Sequence, residues 1–146
     1  MKSRTKARCI ALQVLYEFDM TGHEPAQALT ERLTEEPLDG LLADFSRLIV
    51  FGVMPLTQKL DDFIAQHAPE WPLDQVAAID RNILRMALWE FAVSGCTPVK
   101  VAINEAIELS KFFGSESTPR FVNGVLGSLA NRQQEIHQTF GTTKKV

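Results

Sequence analysis

The chain has 146 residues, of which 45% are hydrophobic and 23% charged, and its formal net charge is −3. These values predict one globular domain and exclude a disordered chain. Cys9 and Cys96 are too few for a disulfide framework or a zinc site, and the longest apolar run, Leu48 to Met54, is too short to span a bilayer. We therefore expect a reduced, cytoplasmic protein with no signal segment and no membrane contact.

Apolar residues at helical spacing predict a first helix from about Arg4 to Met20, with Ser3 as its N-cap and Gly22 as its end. The four cations that precede the first acidic residue of the chain are Lys2, Arg4, Lys6 and Arg8. Positive charge at a helix N-terminus is unfavourable, because the helix dipole already places partial positive charge there. A phosphate bound at this end would offset that cost by accepting hydrogen bonds from backbone N–H groups and cationic side chains. The pattern fits equally a solvated basic terminus.

The remaining pattern predicts further helices and no strand. A helix is expected over residues 25–36, one kinked helix or two over 38–68, and others over 74–94 and 98–113, the last with Thr97 as its cap. A final helix follows Thr118-Pro119. A hinge at residues 69–72 would separate helical halves of about 1–70 and 71–138. The expected fold is all-α, with about seven helices in two small packed bundles.

Carboxylates on two helices are candidates for chemistry. Glu90 shares the apolar face of its helix with Ile83 and needs a cation, either Arg85 or an arginine from another helix, so a structural role is favoured over a catalytic one. Glu105 and Glu108 have the spacing of metal ligands or of an acid/base pair, but surface pairing with Lys111 is the better account. Without a phosphate loop, a nucleophile motif or clustered histidines, we expect no enzyme, metal or cofactor.

Two other positions are candidates for binding. Tyr16 lies two turns beyond the basic residues and could stack on a base or donate a hydrogen bond, although a partly buried core tyrosine is the commoner case. Arg120, beside Phe121, is a further cation at a helix N-terminus, where the helix dipole already places partial positive charge. It could therefore extend an anion-binding surface.

Four segments, in their order along the chain, resemble the NusB family over about Arg4 to Arg132. They are Ala7-Arg8 through Tyr16, Asp80-Arg-x-Ile-Leu-Arg-x-Ala, Val101-Ala-Ile-Asn-Glu-Ala-Ile-Glu-Leu and Phe121-Val-Asn-Gly-Val-Leu. The resemblance implies a single NusB-like RNA-binding domain over residues 1–146 that acts without catalysis in transcription antitermination. It also implies binding to single-stranded boxA-type leader RNA of ribosomal RNA operons, together with the small ribosomal protein NusE, other Nus factors and RNA polymerase.

The resemblance further implies which residues bind. RNA contacts are expected at the basic N-terminus and at the last helix start, at Lys2, Arg4, Lys6, Arg8, Arg120 and Phe121. The protein partner is expected at Tyr16 and Asp80. Thr5 stands between spaced cations where many family members have a denser arginine run, which implies modest affinity for RNA alone. Two other functions stay open: a helical adaptor that binds only proteins, and an RNA-processing enzyme with an unrecognised site.

Overall fold

The computed structural model describes residues 2–68 and 75–141, and over these residues the chain is helical and contains no β-strand. The all-α prediction is therefore confirmed. Eight α-helices occur in these ranges: α1 Ser3–Thr21, α2 Pro25–Glu35, α3 Gly40–Val53, α4 Thr57–His67, α5 Ala78–Leu88, α6 Val99–Phe113, α7 Thr118–Ala130 and α8 Gln133–Gly141. A 3-10 turn, Met54–Leu56, joins α3 to α4, and a π turn, Trp89–Ser94, continues α5.

Helix α1 lies at the centre of the fold and packs against α2, α3, α5 and α6. Its buried face carries small and branched residues, including Ala7, Ala11 and Leu12. Every one of the eight helices adds buried apolar side chains to one cluster, from α1 to Ile136 and Phe140 on α8. A continuous core of this kind holds the beginning of α1 against residues from the second half of the chain.

The end of α1 follows the prediction and its beginning does not. Gly22 ends the helix in a left-handed conformation, with φ of 76°, which glycine adopts without steric cost. Ser3 was predicted as the N-cap, but Lys2 occupies that position and makes no capping hydrogen bond through its side chain. Ser3 is the first helical residue instead, so the first N–H groups of α1 have no capping side chain.

The break between α3 and α4 is where Gly52 and Pro55 predicted it. Pro55 lies in the 3-10 turn. Gly52 lies in α3 and faces the indole of Trp89, whose ring atoms occupy the space that a Cβ at Gly52 would need. The glycine therefore allows the π turn to pack closely on α3.

The helices of the second half differ from the predictions at their ends. Helix α5 begins at Ala78, and the expected start at Asp74 and the hinge at 69–72 lie outside the described residues. Pro98 rather than Thr97 occupies the N-cap of α6. The expected final helix is two helices, α7 and α8, separated at residues 131–132.

Among the described residues, one helical stretch, Gly40–His67, is long and apolar enough to cross a membrane by length and composition, with a mean hydropathy of 1.4 in its most apolar window. The stretch is interrupted by the 3-10 turn that contains Pro55, and Phe45, Ile49 and Val53 are buried in the core. Because core helices meet the same criteria, this is weak evidence for a membrane span.

Candidate nucleic-acid interface

Lys2, Arg4 and Lys6 are exposed at the beginning of α1. This group of three is called the basic turn below. No acidic residue occupies the first turn of α1, and no side chain caps it. The guanidinium carbon of Arg4 lies 4.4 Å from the centroid of the Phe45 ring, a cation–π contact that orients the Arg4 side chain. Three cations beside uncapped backbone N–H groups form a surface that suits an anion such as phosphate.

Arg8, one turn further along α1, is buried and fully engaged by carboxylates. Its Nε donates to both carboxylate oxygens of Glu90 at 3.1 and 3.0 Å, and its Nη2 donates to Glu90 Oε1 at 2.8 Å. Both side chains are only 3% exposed. Burial by itself would lower the pKa of Arg8, but the hydrogen bonds and charges of Glu90 and Glu105 raise that pKa above its ordinary value. Arg8 is therefore permanently charged and structural.

This environment separates Arg8 from the other predicted RNA contacts. The guanidinium would have to leave two carboxylates to reach a phosphate, and breaking a buried ion pair costs about 3–5 kcal/mol. RNA contact by Arg8 stays a prediction that the burial of its side chain argues against. The accessible cations at the beginning of α1 are therefore the three residues of the basic turn.

Glu105 connects the beginning of α1 to α6. Its Oε1 accepts from Thr5 Oγ1 at 2.7 Å and from Arg8 Nη1 at 3.1 Å, and its side chain is 13% exposed. The prediction of ordinary surface pairing is wrong for Glu105 and confirmed for Glu108, which lies 3.2 Å from Lys111 Nζ. A carboxylate from α6 thus lies against the beginning of α1, where it is bonded to Thr5 and Arg8.

Glu90 has the kind of partner that the sequence required. An arginine from another helix, Arg8, pairs with it, and Thr97 Oγ1 donates to Glu90 Oε1 at 2.8 Å. The Thr97 side chain is thus directed toward Glu90, and Pro98 occupies the N-cap of α6. Arg85, the other candidate, instead donates to both oxygens of Asp61 at 2.7 Å.

Two open grooves lie at the beginning of α1, and Lys2, Thr5 and Glu105 line both of them. One groove has a volume of about 640 Å³ and runs along α6; its other lining residues are Asn104, Ile107, Glu108, Lys111 and Phe112. It is called the α1–α6 groove below. The second has a volume of about 230 Å³ and its other lining residues are Arg4, Arg8, Cys96, Thr97, Pro98 and Val101.

Arg120 and Phe121 lie at the beginning of α7, on a different groove. Arg120 is exposed and lines an open groove of about 570 Å³ with Ser115, Glu116, Ser117 and Pro119. Phe121 is half-buried and packs against the core. Neither residue lines either of the two grooves that contain Lys2.

Tyr16 and Asp80, the predicted partner contacts, lie near the junction of α1 and α5. Tyr16 is 38% exposed, so it is not the core tyrosine of the alternative reading. Asp19, three residues beyond Tyr16, accepts from Asn82 Nδ2 and Arg85 Nη1, each at 3.0 Å, and this joins the end of α1 to the beginning of α5.

Asp80 is half-buried, and both of its carboxylate oxygens accept from Thr118 Oγ1, at 3.1 and 3.2 Å. Burial raises the pKa of Asp80 above its ordinary value, and the hydrogen bond from Thr118 opposes that rise. Gly114 leaves room for Thr118, because a Cβ at Gly114 would overlap the Thr118 side chain, and Thr118 Oγ1 accepts from Ser115 N at 2.9 Å.

Within residues 2–68 and 75–141, no group of three or more histidine, cysteine, aspartate or glutamate side chains could hold a metal ion. Cys9 and Cys96 form no disulfide, and burial raises the pKa of the Cys9 thiol to about 11.

Known proteins match this chain over most of its length. The NusB family model matches residues 5–131. Two proteins named transcription antitermination protein NusB, from Chloroflexus aggregans and Bacillus pumilus, are each 45% identical over 131 residues. The first alignment covers 88% of this chain and 87% of the relative, and the second covers 90% and 96%.

Solved structures share the fold. NusB from T. maritima has a TM-score of 0.81 at 29% identity, and the match covers 92% of this chain and 96% of that one. A structure of the antitermination factors NusB and NusE in complex with double-stranded RNA also has a TM-score of 0.81, at 24% identity, over 90% of this chain and 98% of that one. The family match across most of the chain, its relatives at 45% identity and the common fold lead to one conclusion: this chain belongs to the NusB family.

Proposed function

We propose that this chain is a transcription antitermination factor that binds boxA-type leader RNA of ribosomal RNA operons together with NusE, and so helps RNA polymerase, with other Nus factors, to read through terminators. Two relatives at 45% identity are named transcription antitermination proteins, and a structure of the same fold contains NusE and RNA. The chain would act in the cytoplasm as one RNA-binding domain.

The observation that carries the proposal is the accessibility of the basic turn. Lys2, Arg4 and Lys6 are exposed beside uncapped N–H groups, whereas Arg8, in the next turn, is neutralised by Glu90 and Glu105. On a chain of net charge −3, this local surface is where phosphates would be held. Arg120 at the beginning of α7 would hold a second part of the RNA.

The proposal includes no catalysis. The buried acids that could have served as a general acid or base, Glu90 and Glu105, are committed to Arg8. Tyr16 and Asp80 line neither groove beside the basic turn. Asp80 is hydrogen-bonded to Thr118, two residues from Arg120, so NusE and the part of the RNA that Arg120 holds would be bound close together.

The test is fluorescence anisotropy of a labelled boxA-type RNA, with a scrambled RNA and a duplex as competitors, at two salt concentrations and with or without NusE. We expect selective, salt-sensitive binding that tightens with NusE. Each single-strand phosphate contact contributes about 0.7 to the slope of log affinity against log salt. The variant Lys2→Ala/Arg4→Ala/Lys6→Ala should therefore bind more weakly and lose roughly 2 from that slope.

The matched control is Arg47→Ala/Lys59→Ala/Arg132→Ala, which removes three exposed cations from elsewhere on the surface. Equal weakening by both triple variants would contradict the assigned surface. NusE binding without any selective RNA binding would make the chain a protein adaptor, and turnover of the RNA with magnesium would make it an enzyme.

A further inference from the structure

Phe112 is an exposed aromatic side chain that the packing of the fold does not explain. It is 56% exposed near the end of α6, whereas the adjacent Phe113 packs against the core. Phe112 lines the α1–α6 groove, whose lining begins at Lys2 of the basic turn. An aromatic side chain in water, in a groove that continues from a basic surface, is an arrangement that single-stranded nucleic acids use for base stacking.

The charged residues that line the groove balance each other only when Lys2 is included. Glu105 accepts from Thr5 and Arg8, but Arg8 is shared with Glu90, so the charges of Arg8, Glu90 and Glu105 sum to −1. Glu108 lies 3.2 Å from Lys111, and Lys2 of the basic turn offsets the remaining negative charge at the groove edge. A groove without net charge suits an uncharged base, and the exposed cations Arg4 and Lys6 beside it suit the phosphates on either side of that base.

Polar groups for reading a base edge are also present. Asn104 lines the groove and carries an amide that both donates and accepts hydrogen bonds. The volume of about 640 Å³ lies within the range of small-ligand sites, about 300–1,000 Å³. The groove therefore has room for a nucleotide and groups that could orient it.

We propose that the α1–α6 groove holds one unpaired base of the bound RNA, stacked on Phe112, while the basic turn holds the adjoining phosphates. This inference rests on the proposed function and adds a base-binding site to it. The stacked base has to be unpaired, so the site would favour single-stranded over duplex RNA.

The experiment uses the full chain and boxA-type RNA in which single bases are replaced, one at a time, by 2-aminopurine, whose fluorescence falls when it stacks. We expect quenching at one position on binding, and loss of that quenching in Phe112→Ala. Because stacking contributes about 1–3 kcal/mol per base, affinity should fall roughly 5- to 150-fold. The slope against salt should stay unchanged, since no charge is removed.

Two variants separate stacking from a change in fold. Phe112→Trp should restore both quenching and affinity, because it keeps an aromatic face. Phe51→Ala, which removes a phenylalanine that is 43% exposed on α3, should leave RNA binding unchanged. Circular dichroism and urea unfolding of each variant would show that the fold is kept.

Full affinity and quenching in Phe112→Ala, alongside loss of binding in the basic-turn variant, would overturn the base site and leave the proposed function standing. Loss of NusE binding without loss of RNA binding in Phe112→Ala would make the groove a protein-docking site and would also overturn the inference. Failure of the unmodified chain to bind any RNA would overturn the proposed function itself.

Discussion

Arg8 and Glu90 are 82 residues apart in the chain and form a buried ion pair in which three N–H···O contacts lie between 2.8 and 3.1 Å. The pair joins α1 to the π turn, and through Glu105 and Thr97 it includes residues before and within α6. A network of this kind fixes the position of the basic turn relative to the second half of the chain.

Single substitutions of this pair should destabilise the fold strongly. Arg8→Ala would leave Glu90 charged and buried, and Glu90→Ala would leave Arg8 with only part of its partners. Each should lower the free energy of unfolding by about 3–5 kcal/mol. Arg8→Met/Glu90→Leu, which removes both charges and keeps much of the volume, should cost far less than the sum. Urea unfolding of the three variants measures this, and additive losses would show that the two side chains do not depend on each other.

Gly52→Ala should destabilise the protein although alanine favours helices. The new Cβ would overlap the Trp89 indole, and such overpacking costs about 1–3 kcal/mol. Gly127→Ala is the matched control, because Gly127 lies within α7 with open space around its Cβ position. That change should stabilise by about 0.5–1 kcal/mol. Thermal unfolding compares the two, and a stable Gly52→Ala would show that Trp89 can move aside.

Thr118→Val should raise the pKa of Asp80 further, because it removes the hydrogen bond that opposes the effect of burial. The folded chain binds the Asp80 proton more tightly than the unfolded chain does. The stability from this group is therefore present below the ordinary aspartate pKa of 3.8 and is lost as pH rises through the folded pKa. Carbon NMR titration of the Asp80 carboxyl in both proteins measures the change.

Thr139→Val provides the control for that titration, since Thr139 is exposed on α8 and its hydroxyl donates to the backbone carbonyl of Glu135. An Asp80 pKa that moves equally in both variants would contradict the role of Thr118. Asp80→Asn should remove the corresponding part of the pH dependence of stability.

Helical periodicity was enough to predict the extent of α1, since the expected Arg4–Met20 differs by one residue at each end from Ser3–Thr21. It predicted Gly22 as the end of α1 but not the N-caps. Thr97 has the chemistry of a helix N-cap, but its side chain is directed toward Glu90, to which the hydroxyl donates, and Pro98 occupies the N-cap of α6. The preference of threonine for the N-cap position is overridden by a tertiary contact with Glu90, which the local sequence pattern does not contain.

The candidate site was likewise predicted only in part. The sequence showed that a carboxylate at position 90 needs a cation, but the choice between Arg85 and a distant arginine depends on how the helices pack. Arg8 was consequently grouped with the exposed cations, although its position in α1 is buried. Phe112 was overlooked, and a signal for it existed: Phe113 completes the apolar stripe of α6, so its neighbour points away from the core.

The bond between Thr5 and Glu105 spans 100 residues and sets an order of events during synthesis. The N-terminus leaves the ribosome first, yet the acceptor that holds the beginning of α1 is made only when α6 is made. A nascent chain that ends before Val99 therefore carries the cations without Glu105, the carboxylate that holds Thr5 and Arg8 beside them. We expect RNA recognition to appear late in translation, so that a prematurely ended chain would not compete with the finished protein for its RNA.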